Sequence, residues 1–177
     1  MKNTPPTFNP AVLPSEFMKS FEPSNSSSAR HFLYPGQIFA SREPITISTI
    51  LGSCAAICLW DRQKHVGGMN HYLLPDGAGD GPNRLRYGNV ANPELLRQVL
   101  ALGCDVRNLQ AKIFGGSSAF AVDLSQSLGS KNVELAEDFL GSAGIPVVDR
   151  DVSGKHGRRL VFQLGDGVTI IKNFEQV

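Results

Sequence analysis

The sequence predicts an α+β fold, and two observations carry the prediction. About eight or nine short segments have strand patterns whereas only two have the features of principal helices, which is too few helices to cross over between parallel strands. The central strand, Cys54 to Trp60, is apolar on both of its alternating faces, so it should be covered on both sides. A chain of 177 residues is long enough to bury a hydrophobic core.

The first 30 residues are expected to form a disordered extension, followed by a single catalytic domain over 31–177. The extension contains Pro5, Pro6, Pro10, Pro14 and Pro23 and a run of serines, a composition that buries little surface. Its segment Ala11 to Phe21 is apolar enough to dock on a surface, but Pro14 argues against one continuous helix there.

Three strands are predicted between Ile45 and Pro75, the part of the chain that carries the chemistry. Ile45 to Ile50 alternates, Cys54 to Trp60 is an apolar run, and Val66 to Leu74 follows a polar turn. A strand over Gln37 to Ala40 precedes them. A cysteine thus opens the middle strand and a histidine lies on the next one.

The rest of the chain is predicted to form two helices and four strands. Asn92 is a suitable N-cap for a first helix that ends at Gly103, with Pro93 at its first position. A second helix runs from about Lys131 to Leu140. The loops are expected at Asp76 to Val90 and Gly115 to Ser118, and the strands at Leu109 to Phe114, Ile145 to Val152, Arg159 to Leu164 and Val168 to Phe174.

Composition excludes several classes of partner. The net charge is +1, from 17 basic and 16 acidic residues that are well mixed, so no basic stripe for nucleic acid is present. No apolar run approaches the roughly 20 residues that span a bilayer, so membrane insertion is not expected. Three cysteines are an odd set and the N-terminus lacks a secretory core, which favours a cytoplasmic location.

Cys54 and His71 are the candidate nucleophile and base. Cys54 follows a Gly-Ser turn whose N–H groups would both lower a thiol pKa and stabilise an oxyanion. His71 lies 17 residues later in a semi-apolar setting that keeps an imidazole neutral. For each residue the alternative is an ordinary core position, which we also favour for Cys58 and Cys104.

No metal or organic cofactor is predicted. Cys54, Cys58, His65 and His71 offer four possible zinc ligands, but on a strand the two cysteines would lie about 13 Å apart. The Gly115 to Ser118 loop lacks a lysine at the spacing of a phosphate-binding loop, so we expect a tight turn near the active cleft.

Four motifs resemble the chemoreceptor glutamine deamidases, the CheD family of bacterial chemotaxis, over roughly residues 32 to 174. They are LGSCAAICLWD, GGMNHYLLP, KIFGGSSAF and GSKNVELAEDFL. The cysteine-to-histidine spacing with both flanking motifs is more specific than either residue alone.

The resemblance implies packed mixed β-sheets flanked by helices, similar to the catalytic domain of cytotoxic necrotizing factor toxins. It also implies a Cys-His-hydroxyl triad, in which Cys54 is the nucleophile, His71 the base and Ser48 the third member. The implied activity converts receptor glutamines to glutamates, and the same chemistry could hydrolyse glutamyl methyl esters.

The implied partners are the cytoplasmic helices of methyl-accepting chemoreceptors and a CheC-type phosphatase. Two alternatives remain open from the sequence. One is a non-catalytic regulator that binds receptors or such a phosphatase, and the other is an unrelated cysteine hydrolase of small amides.

Overall fold

Nine strands, two α-helices and two short 3₁₀ helices (Arg84–Arg86 and Val106–Asn108) are the regular elements of the part of the chain that the computed structural model describes, residues 29–78, 81–118 and 127–174. The expected disordered extension lies almost entirely outside these residues. The strands are β1 (Arg30–Phe32), β2 (Gln37–Ser41), β3 (Thr46–Leu51), β4 (Ala55–Asp61), β5 (Val66–His71), β6 (Leu109–Gly115), β7 (Val147–Val152), β8 (Arg158–Gln163) and β9 (Thr169–Asn173); the helices are α1 (Gly88–Ala101) and α2 (Leu128–Ser142).

The strands form two mixed sheets. One has five strands in the order β2-β5-β4-β6-β7, in which only β6 and β7 are parallel. The other has four strands in the order β1-β3-β8-β9, in which only β1 and β3 are parallel. Antiparallel neighbours that follow each other in sequence need only short turns, and the predicted α+β class is confirmed.

The five-stranded sheet is the middle of three layers. On one face, Ile57 and Leu59 of β4 pack with Leu95 of α1 and Ala136 of α2. On the other face, Ala56 and Cys58 of β4 pack against Leu160 and Phe162 of β8 in the second sheet. Strand β4 is therefore buried on both sides, as its unbroken apolar run predicts.

The first helix begins earlier than the sequence indicated. It starts at Gly88, so Asn92 lies inside the helix and is not its N-cap. The Asn92 side chain is fully buried and accepts a hydrogen bond from the Asn70 amide of β5 at 2.8 Å. A buried polar side chain needs such a partner, and that long-range need is invisible in the local pattern.

The second helix also begins before its expected start. Leu128 is its first residue, and the Ser127 hydroxyl caps it by accepting the Ser130 N–H at 3.0 Å. The strand β1 precedes the first strand that we expected.

No helix among the described residues is long and apolar enough to cross a membrane.

Candidate active site

Cys54 and His71 lie on the same face of the five-stranded sheet. The β4–β5 register pairs Cys58 with Met69, and beyond it Ala55 pairs with Tyr72. Continuing this alternation places Cys54 and His71 as diagonal neighbours, whose backbones in a sheet are about 7–8 Å apart. The register thus places on one face of the sheet the two residues that we expected from adjacent strands.

The imidazole of His71 is held by Thr49 of β3, in the second sheet. Thr49 Oγ1 lies 2.8 Å from His71 Nδ1 and donates its own proton to the Leu33 carbonyl at 2.7 Å. Because the hydroxyl proton is already used, Thr49 can only accept from Nδ1. This hydrogen-bond pattern assigns the proton of His71 to Nδ1 and leaves Nε2 with a lone pair.

That lone pair is available as a base. The Nε2 atom of His71 is buried and has no hydrogen-bond partner among the described residues. A histidine whose one nitrogen is oriented by a neighbour and whose other nitrogen is free has the arrangement of a general base beside a nucleophile.

The hydroxyl that contacts His71 is not the one that the resemblance indicated. Successive side chains of a strand point to opposite faces, and in β3 it is Thr49, not Ser48, that is fully buried between the sheets. Ser48 is half-buried on the opposite face of the strand. The hydroxyl beside His71 is therefore that of Thr49, one residue nearer to Cys54.

Burial shifts the titration of both candidate groups. It lowers the pKa of His71 to about 4, and so keeps the imidazole neutral. Burial also raises the pKa of the Cys54 thiol, against the opposing effects of its own backbone N–H and of the Arg86 charge. We expected a lowered thiol pKa from the turn, but here desolvation is the larger effect. The resting pair is a neutral thiol and a neutral imidazole.

A glycine-rich loop supports the turn that carries Cys54. The N–H of Gly116 donates to the Cys54 carbonyl at 2.7 Å, and the N–H of Ser117 donates to the Gly52 carbonyl at 2.8 Å. Among the described backbone hydrogen bonds, none uses the N–H of Ser53 or of Cys54. Residues 116–118 are irregular and not the tight turn that we expected, but the loop supports the turn before Cys54 through these two backbone hydrogen bonds. The Ser53 and Cys54 N–H groups are the candidates for stabilising an oxyanion.

Two further residues at the site were missed in the sequence. Asn132 of α2 is fully buried and donates hydrogen bonds to the carbonyls of Ser53 and Leu73. The positive charge of Arg86 favours the thiolate form of Cys54. Local pattern gave no signal for either, because both reach Cys54 only through the fold. Among the described residues no group of three or more His, Cys, Asp or Glu side chains could hold a metal ion.

The other two cysteines have surroundings that do not suit a nucleophile. Cys58 is buried in β4 between the sheets, and Cys104 is also buried. Burial raises the pKa of Cys58 strongly and that of Cys104 to about 11. Cys54 alone of the three is partly exposed.

An α+β chain with a partly exposed cysteine on the same sheet face as a buried, oriented and neutral histidine has the groups of a thiol-dependent hydrolase. Residues 73–173 match the family described as CheD chemotactic sensory transduction. This match spans more than half of the chain and includes Arg86, the glycine-rich loop and α2, and it begins two residues after His71.

Curated relatives extend the match across the whole site. A probable chemoreceptor glutamine deamidase CheD 1 of Anaeromyxobacter dehalogenans is 43% identical over 151 residues, which cover 85% of this chain and 88% of that protein. A probable chemoreceptor glutamine deamidase CheD of Trichlorobacter lovleyi is 38% identical, covering 88% of this chain and 97% of that protein. One of Rhodospirillum rubrum is 37% identical, covering 85% of each. The chain belongs to the CheD family, and the resemblance to that family is confirmed.

Proposed function

We propose that this protein is a protein-glutamine deamidase that converts glutamines of chemoreceptors to glutamates, with Cys54 as nucleophile and His71 as base. The observation that carries the proposal is the unpartnered Nε2 of His71 on the same face as Cys54. The relatives named as chemoreceptor glutamine deamidases support the substrate. Family membership favours this proposal over the alternative of an unrelated small-amide hydrolase.

The first half of the reaction forms a thioester. His71 Nε2 takes the thiol proton as the Cys54 sulfur attacks the side-chain carbonyl carbon of a receptor glutamine. The N–H groups of Ser53 and Cys54 stabilise the oxyanion. The carbon–nitrogen bond then breaks, and the proton on Nε2 leaves with the nitrogen as ammonia.

The second half restores the enzyme. A water molecule attacks the thioester while Nε2 accepts its proton, the carbon–sulfur bond breaks, and the proton returns to Cys54. Thr49, in place of Ser48, keeps the Nδ1 proton in position during both halves. Since burial raises the pKa of the Cys54 thiol and lowers that of His71, the thiol has to give its proton to Nε2 in the course of the reaction.

The same acyl transfer applies to a glutamyl methyl ester, with methanol as the leaving group. We also propose a cytoplasmic location, a fold akin to the cytotoxic necrotizing factor catalytic domain, and a surface that binds a CheC-type phosphatase. Neither the deamidation nor the ester hydrolysis needs a metal or an organic cofactor.

Intact-mass measurement of a receptor cytoplasmic fragment tests the proposal. The wild-type protein should produce one amide-to-acid mass increase for each converted glutamine, whereas Cys54→Ala and His71→Ala should produce none. Because the two residues act as a unit, the double variant should be scarcely worse than either single one. Cys58→Ala is the matched control, since Cys58 lies four residues further along the same face, and it should retain turnover.

Near-wild-type conversion by Cys54→Ala would overturn the assignment of the nucleophile. Binding of the fragment by the wild-type protein without any mass change would favour the non-catalytic regulator.

A further inference from the structure

Asn132 joins the two chain segments that carry the site. Its Nδ2 atom, at the second turn of α2, donates to the Ser53 carbonyl at 2.8 Å and to the Leu73 carbonyl at 2.9 Å. Ser53 is the residue before Cys54, and Leu73 is the second residue after His71. One fully buried side chain therefore contacts the segment before β4 and the segment after β5, where the reaction is proposed to occur.

This contact lies where the sheet itself stops holding the two segments together. The last pair between β4 and β5 is Ala55 with Tyr72, which exchange hydrogen bonds of 3.0 and 3.1 Å. In the next hydrogen-bonded pair of the ladder the Leu74 N–H would donate to the Ser53 carbonyl, but it donates to the Arg86 carbonyl at 3.1 Å instead. The Asn132 amide replaces the missing ladder bond, so Cys54 is held by the sheet on one side and by Asn132 on the other.

The chemistry of the position requires a primary amide. Both carbonyls are acceptors, so the side chain between them has to supply two N–H groups from a single atom, which a serine hydroxyl or a carboxylate cannot do. The opposite atom, Asn132 Oδ1, is buried without a partner among the described residues. Reversing the amide would set Oδ1 against two carbonyl oxygens, so the observed orientation is the one that the two donated bonds impose. Leaving a buried oxygen without a hydrogen bond costs free energy. Here that cost accompanies the two hydrogen bonds that Nδ2 donates.

We propose that Asn132 is a positioning residue of the reaction. Its amide fixes the peptide between Ser53 and Cys54, whose N–H groups form the oxyanion site, relative to the segment that follows His71. The inference rests on the proposed function for its catalytic meaning. It predicts a loss in the chemical step with little change in substrate binding, since Asn132 is buried and does not face the substrate.

Asn132→Asp is the decisive variant, because it keeps the size of the side chain and removes both N–H donors. We expect kcat to fall about 10- to 100-fold with KM nearly unchanged, the range that a misplacement of about 1 Å produces. Iodoacetamide alkylation of Cys54 on the native protein should slow as well. Burial raises a carboxyl pKa, and a protonated acid donates one hydrogen bond, so activity relative to wild type should rise as pH falls.

Asn92→Asp is the matched control. Asn92 is an equally buried asparagine on the other helix, and its Oδ1 only accepts a hydrogen bond, a role that a carboxylate keeps. Both variants bury a carboxylate and should lose thermal stability alike, but Asn92→Asp should retain kcat. Asn132→Ser, which is uncharged and supplies one donor, keeps the test valid if the aspartate variant does not fold, and its kcat should be intermediate.

Two results would overturn the proposal: a wild-type kcat and alkylation rate in both Asn132 variants, or an equal loss of kcat in Asn92→Asp. The alkylation assay needs no receptor. If wild-type protein failed to convert receptor glutamines, the proposed function would fail, whereas the effect of Asn132 on Cys54 reactivity would still be measured.

Discussion

Thr49 is the residue at which the structure differs most from the site predicted from the sequence. Its hydroxyl accepts from His71 and donates to the Leu33 carbonyl, so it sets which imidazole nitrogen carries the proton. The sequence brought the prediction to within one position of this residue. It could not go further, because a shift of one residue along a strand moves a side chain to the other face of the sheet.

The exchange of Ser48 for Thr49 is directly testable. Thr49→Val keeps the shape of the side chain but leaves the Nδ1–H of His71 and the Leu33 carbonyl without their partner, a cost of about 1–3 kcal/mol. We expect deamidation to fall at least about tenfold, with recovery in Thr49→Ser. Ser48→Ala should be close to wild type when turnover of the receptor fragment is measured. Loss of turnover in Ser48→Ala with full activity in Thr49→Val would restore the original assignment.

The neutral state of His71 should also be visible in the pH dependence of stability. Its folded pKa of about 4 lies below the roughly 6.5 of an unfolded histidine. Between these values the unfolded chain binds a proton that the folded protein does not. The contribution of His71 is therefore complete above about pH 6.5 and is lost as pH falls towards 4, by at most about 3 kcal/mol.

Urea unfolding from pH 7.5 down to pH 4.5 measures this loss. His71→Gln, which cannot titrate, should show a smaller decrease in the free energy of unfolding over that interval than wild type. The three other histidines are common to both proteins and cancel in the comparison. Parallel curves for the two proteins would mean that His71 titrates normally.

At the scale of elements, the site depends on how closely α2 approaches the glycine-rich loop. A Cβ atom at Gly129, in the first turn of α2, would lie 2.6 Å from the Ser117 carbonyl oxygen and would also overlap the Gly116 carbonyl. The loop in turn donates its hydrogen bonds to the carbonyls of Gly52 and Cys54. Packing of the helix on the loop is thereby transmitted to the turn that carries the thiol.

Two glycines of the same helix allow a matched test of this contact. Gly129→Ala should displace the loop, lower the free energy of unfolding by about 1–3 kcal/mol and reduce turnover. Gly141→Ala meets no atom within 4 Å and should raise stability by up to about 1 kcal/mol, because alanine is the better helix former. Chemical denaturation and receptor-fragment turnover measure both effects. Equal stability and turnover in the two variants would show that the approach of α2 to the loop does not matter.

The elements that periodicity signals strongly were well predicted, and those that depend on distant partners were not. The apolar run of β4 and the Gly-Ser turn before Cys54 are local features, so the position of the candidate nucleophile followed from sequence. Asn92 has the local features of an N-cap but serves as a buried partner of β5. Asn132 lies in a helix whose apolar face was recognised, yet its two acceptors are 79 and 59 residues away.

At the scale of the whole molecule, the three layers leave one sheet face without a described helix against it. Both α1 and α2 pack on the five-stranded sheet, and the outward side chains of the four-stranded sheet include Ile170, which is 51% exposed. The chain enters this sheet at β1, just after Ala29, whose carbonyl accepts the Thr46 N–H at 2.9 Å. Residues 1–28 thus connect directly to the sheet with the open face.

Deleting residues 1–28 tests whether that connection matters. Because the segment is rich in proline and serine, we predict that it contributes little to stability. The melting temperature should change by less than about 2 °C, which for a domain of this size corresponds to less than about 1 kcal/mol. The deletion keeps Ala29 and its bond to β3, so the described sheet is left intact. A larger fall would contradict the prediction and show that Ala11 to Phe21 packs on the domain. Replacing Phe17 and Phe21 by serine in the full-length chain would then lower the melting temperature as well, which would place the stabilising contact in the apolar part of the segment.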